Sequence, residues 1–216
     1  MITRAVSSVP GMRFLTNFPF SYLRRVPGID VAIGVTAYQL TDMARTATIA
    51  ATQGLKTTGK IAKAIEQGLS KMWKPEVATR ENGIEVARHT IRGVIHAVDK
   101  SSFDADSVVR PAMIGVVRSL RRSKIVPGDA FRGAGYGIIQ GAVETELDLG
   151  VAAVQAVRGA HNAANELGLD ELLAEANTTR GVIGAVQDID PHSVARIKKS
   201  LLAEFTNSIF LNSDEK

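Results

Sequence analysis

The sequence predicts an all-α protein: an antiparallel array or bundle of single-helix repeats of about 22 residues over positions 80–205, preceded by an irregular helical region and a basic N-terminal arm. Three observations carry this. Gly93, Gly115, Gly137, Gly159 and Gly181 recur every 22 residues, with Ala203 next in phase. A second small residue follows each glycine by four positions: Ala97, Ser119, Gly141, Ala163 and Ala185. Helix-starting punctuation separates the units. Agreement of two small-residue columns over five units is implausible by chance, and fixed-period similarity is the mark of repeat architectures.

The chain divides into a basic, aromatic arm or targeting segment (1–29), one or two amphipathic helices (30–75) and a helical repeat domain (80–210). No acid precedes Asp30, whereas Arg4, Arg13, Arg24 and Arg25 stand among Phe14, Phe18, Phe20 and Tyr22. Arg13, Phe14, Phe18, Phe20, Tyr22, Arg24 and Arg25 are the candidate contacts of this arm with a partner or a membrane. Such a leader suits organelle targeting, the headgroup region of an anionic membrane, docking onto a partner or a neighbouring copy, or a loose basic tail. It lacks the compact apolar core of a secretory signal.

In the second region, Asp30 is placed to cap one helix and Gly54 to separate it from another. Ile61, Ile65 and Leu69 recur there at helical spacing, and Lys56, Lys60, Lys63 and Lys71 stay polar. Pro75 ends it, because proline cannot donate to a helix and clashes with the preceding turn. Gly68, with Ala64, repeats the small pair but stands out of phase. Terminal repeats are commonly atypical.

In the repeat domain, Asp104, Asp148 and Asp170 stand eleven residues after a phase glycine and are read as N-caps, whose carboxylates accept from orphan amides of the first turn. Val-Pro-Gly-Asp at 126–129 and Asp-Ile-Asp-Pro at 188–191 punctuate the other units, with Asp190 and Pro191 as a cap and first-turn pair. Each unit is then one helix of about 17 residues and a short turn, which makes sequential neighbours antiparallel.

On a helical wheel, small residues such as Ala152, Ala156, Gly159 and Ala163 form one arc. Ile91, Val94 and Val98, Met113, Val116 and Leu120, and Thr179, Val182 and Val186 form the adjoining bulky arc. His89, His96 and Lys100, Gln155, Asn162 and Glu166, and Asn177 and Asp188 occupy the opposite side, expected to face solvent. A mid-helix glycine costs about 1 kcal/mol relative to alanine, so glycines in register need a compensating gain. Close approach of helix backbones supplies it. The helix-packing set is therefore Gly93, Ala97, Gly115, Ser119, Gly137, Gly141, Gly159, Ala163, Gly181 and Ala185.

Composition narrows the chemistry. The absence of cysteine excludes disulfides and thiolate chemistry. The longest charge-free stretches, 31–41 and 133–143, hold 11 residues, short of the roughly 20 that cross a bilayer as a helix. Gly54-Leu-Lys-Thr-Thr-Gly59-Lys60 has phosphate-loop spacing, but Ile61 replaces the hydroxyl that binds magnesium, and no strand precedes it. Glu85, His89 and His96 share a polar face without the Glu-x-x-His pair of bundle metal sites, and read as a solvated face. His161 and His192 have no evident partner. Arg118, Arg121, Arg122 and Lys124, with Arg110 and Arg132, form a basic patch. The repeat region is net negative and poor in aromatics, which argues against nucleic acid.

No catalytic residue, metal or cofactor is expected. The predicted role is a non-enzymatic helical-repeat scaffold or assembly subunit that binds other proteins or copies of itself. The alternative is a peripheral membrane or storage-granule surface protein; in pattern alone, the amphipathic Ala- and Gly-rich units are similar to apolipoprotein-like and phasin-like coats. A carrier of an apolar small ligand comes third. The expected location is the cytoplasm, at the periphery of a membrane or granule if the coat alternative holds, with organelle targeting by residues 1–29 left open.

Overall fold

The computed structural model describes residues 36–52, 58–73, 78–98 and 103–205. The arm at 1–29, the Asp30 cap, Gly54 to Thr57, Pro75 and Lys100 lie outside the described residues. Eight α-helices and no strand occur among the described residues. They are α1 (Ala37–Thr52), α2 (Thr58–Met72), α3 (Arg80–Ala97), α4 (Arg110–Arg122), α5 (Pro127–Glu144), α6 (Leu149–Leu167), α7 (Glu171–Ile189) and α8 (Val194–Glu204).

Local chemistry sets the ends of these helices. Thr36 and Gln39 form a reciprocal capping box at the start of α1: the Gln39 amide donates to the Thr36 hydroxyl, and the Thr36 amide to Gln39 Oε1. Asp148 and Asp170 accept from the Val151 and Leu173 amides and so cap α6 and α7. Asp104 takes the amides of Asp106 and Ser107, but it opens a π-helical turn (Ala105–Val109) that leads into α4. Pro127 stands in the first turn of α5 after an uncapped Val126. Gly168 adopts φ +63°, the left-handed conformation that closes α6.

The Asp190 expectation needs correction. Pro191 opens a three-residue 3-10 turn, and the Asp190 carboxylate takes the Ser193 hydroxyl rather than a backbone amide. Helix length also departs from uniformity. α3, α5, α6 and α7 run 18 or 19 residues, but α4 has 13 and α8 has 11. At α4 the π turn consumes the first residues of the unit.

The helices form two layers. α1, α3, α5 and α7 lie side by side in one, and α2, α4, α6 and α8 in the other. Within a layer the neighbours are parallel, because their contacts advance together along both helices. Arg88–Gln140 and Arg92–Glu144 join α3 to α5, and Tyr136–Asp188 joins α5 to α7, each pair 52 residues apart. Glu66–Arg122, Asp106–Asn162 and Arg110–Glu166 repeat a separation of 56 residues in the other layer.

The bulky arcs meet between the layers. Leu40, Ile91, Val94, Phe131, Ile138, Val182 and Val186 from one side pack into a cluster with Ile61, Ile65, Leu69, Met113, Leu120, Val157, Ile197 and Leu201 from the other, all essentially inaccessible to solvent. This burial supplies the driving force at roughly 25 cal/mol per Å² of apolar surface. The row Ala152, Ala153, Ala156, Ala160, Ala163 and Ala164 is also fully buried and lets α6 pack closely on several sides.

Candidate interaction surfaces

The phase glycines fall one per helix in α3 to α7; at four of them another backbone carbonyl comes close, and at Gly159 a side chain does. The partner is the next-but-one helix, not the antiparallel neighbour in sequence. A methyl carbon on Gly115 in α4 would lie 2.6 Å from the carbonyl oxygen of Ala62 in α2. Gly93 faces the Thr41 carbonyl of α1, Gly137 the Arg88 carbonyl of α3, and Gly181 the Arg132 carbonyl of α5. Gly159 meets the Val109 side chain. Ala203, next in phase, is exposed on α8.

In the second column, Gly141 packs on Ile95 of α3. Ala163 and Ala185 are fully buried, whereas Ala97 is only partly so. The buried Ser119 hydroxyl donates to the Gly115 carbonyl one turn back, which satisfies it within its own helix.

On the side expected to face solvent, Glu166 and Asp188 are exposed, and this side also forms a ladder between helices. Gln155 Oε1 accepts from the Ala105 amide, Asn162 donates to Asp106, Glu166 accepts from Arg110, and Asp188 accepts from Tyr136. Glu85, His89 and His96 are likewise partly covered. His89 Nε2 lies 3.3 Å from Glu85, while His96 Nε2 lies 2.5 Å from Glu144 on α5. The Arg88 guanidinium sits 4.0 Å above the Tyr136 ring and its Nε donates to Gln140. His161, which lacked an evident partner in sequence, holds α6 to α7 through Nδ1, 2.7 Å from the buried Glu175. No group of three or more potential metal ligands occurs among the described residues.

This setting shifts protonation. Burial pushes the Glu85 carboxyl up, but the His89 hydrogen bond and the Arg88 charge outweigh it and hold the group below its ordinary value. Burial acts the same way on Glu144, where His96 and Arg92 win and the carboxyl again lies low. Burial raises the Tyr136 phenol to about 12 against the opposing Arg88 charge, and the hydrogen bond to Asp188 reinforces the rise.

The basic patch is split by the fold. Arg110 is spent on Glu166 and Asp106, and Arg122 pairs with Glu66. Arg118 and Arg122 face α2 across an open groove of about 410 Å³, also lined by Lys63, Glu66, Gln67 and Ser70. Exposed apolar side chains include Tyr38 and Ile49 on α1 and Leu172 and Leu173 on α7, at the edges of one layer, and also Val126 before α5 and Val151 on α6. No described helix is long and apolar enough to cross a membrane.

The fold defines a two-layer α-helical array. No family model, curated protein or solved structure matches the chain.

Proposed function

We propose that this chain is a non-enzymatic scaffold or assembly subunit that binds other proteins or further copies of itself through the edges of the array. The observation that carries this reading is the exposure of Tyr38 and Ile49 on the first described helix of one layer and of Leu172 and Leu173 on its last. Among the described residues, interior helices of the same layer have neighbours on both sides, whereas α1 and α7 each have one. Stacked helical units commonly offer such ends to partners. The coat alternative has less support, because the bulky arcs that would lie on a lipid or granule surface are already buried against one another.

The test is light scattering of the full-length chain over a concentration range, with affinity capture from the source cell. Tyr38→Ser with Ile49→Ser, and Leu172→Ser with Leu173→Ser, should weaken self-association or partner capture. A monomer at every concentration that captures no protein rejects the proposal. Flotation with vesicles, accompanied by loss of the array's cooperative unfolding, favours the coat.

A further inference from the structure

The groove between α2 and α4 departs from the pairing seen one helix pair later in its own layer. Elsewhere, many cations facing a parallel neighbour meet an acid or amide: Arg88 with Gln140 and Arg92 with Glu144 at a separation of 52 residues, Arg110 with Glu166 at 56, and Arg80 with Asp129 and Arg158 with Glu204 at other separations. At α2–α4 the pair Glu66–Arg122 keeps the 56-residue register. One helix pair later in the same layer, the equivalent pair is Arg110–Glu166 with the charges exchanged.

The neighbouring rung of that later pair is Asp106–Asn162, again 56 residues apart. At the same separation, Arg118 falls opposite Ala62, which is buried in the core, so no carboxylate is offered to it there. Arg118 is left exposed with no ion-pair partner among the described residues, and Lys63, beside Ala62, likewise has none. Both line the groove, together with Arg122, Gln67 and Ser70. Its open volume of about 410 Å³ leaves room for more than a single ion.

We propose that the α2–α4 groove binds a phosphate-bearing ligand, whose oxygens engage Lys63 and Arg118, with Arg122 at the rim. Three cations around one carboxylate leave the groove positive, and the fork of an arginine matches phosphate oxygens in a bidentate manner. The phosphate has two possible sources, a soluble phosphate ester or the headgroup of an anionic lipid. This inference does not depend on the scaffold reading.

The test uses the full-length chain at fixed ionic strength. Titration calorimetry with inorganic pyrophosphate probes the soluble source. Flotation with phosphatidylcholine vesicles, with and without phosphatidic acid, probes the lipid source. Lys63→Ala with Arg118→Ala, both on exposed side chains, should weaken binding at least about tenfold through loss of two charge-assisted contacts. Lys199→Ala, an exposed cation on α8, should leave it unchanged. Saturable pyrophosphate binding lost in the double variant supports the soluble source. Binding confined to phosphatidic acid vesicles and lost in that variant supports the lipid. Absence of binding in both arms, binding that survives the double variant, or equal loss in Lys199→Ala overturns the proposal.

Discussion

Gly137→Ala tests the physical basis of the array most directly. The added methyl carbon would lie 3.0 Å from the carbonyl carbon and 3.1 Å from the Cα of Arg88, and nearer still to the Arg88 oxygen. These are backbone atoms of α3, so no side-chain rotation relieves the contact. Overpacking costs about 1–3 kcal/mol, and helix propensity returns about 1 kcal/mol. A rigid obstruction places the cost at the upper end, for a net loss of about 1–2 kcal/mol. For a chain of this size that lowers the melting temperature by about 2–8 °C. Gly184→Ala is the internal comparison: it lies in α7 with nothing near its added carbon, so propensity acts alone. It should stabilise by up to about 1 kcal/mol, or roughly 2–4 °C. Thermal and urea unfolding followed by circular dichroism measure both. A Gly137→Ala protein as stable as the parent, or a Gly184→Ala protein destabilised to the same extent, would refute close backbone approach as the reason for the glycines.

Four further outcomes follow from the polar contacts and caps. Glu85 and Glu144 titrate lower in the folded protein than the ordinary value of 4.5, so their stabilisation is intact above that pH and is lost as pH falls through the lowered folded values. Urea midpoints measured from pH 6 to 3 should therefore fall, and Glu144→Gln should flatten that fall. Spectrophotometric titration should show one late tyrosine ionising near pH 12, absent in Tyr136→Phe. The only tryptophan, Trp73, donates its indole N–H to the buried Ser123 hydroxyl at 2.8 Å. Trp73→Phe should cost about 1–3 kcal/mol by orphaning that hydroxyl, as read from the urea midpoint. Asp148→Ala and Asp170→Ala should each cost about 1 kcal/mol, and a double variant should show additive losses in the same assay.

Helix existence and several boundaries were legible because they arise within a few residues. Asp148 and Asp170 cap their own first turns, and Pro127 opens α5. Thr36 and Gln39 were the overlooked signal, a Thr-x-x-Gln capping box that places the start of α1. Asp190 had the right residues for a cap but gave its carboxylate to Ser193. Arg118 was visible within a basic run, yet its isolation emerges only when its helix is laid beside α2. The register of 56 residues joins segments too distant in sequence for any periodic pattern to pair.

The sequence alone determined that the chain is helical, where most units begin, and which angle around each helix carries small, bulky or polar side chains. A period of 3.6 residues encodes those angles locally. Only the tertiary structure decided what lies in each direction. Short turns make consecutive helices antiparallel, but two-layer packing places the next-but-one helix against the glycines. The same packing turns the polar side of His96, Asn162 and Glu166 into contacts between helices. An angle on a helix specifies a direction in space, and the neighbour found there depends on how all the helices share the available surface.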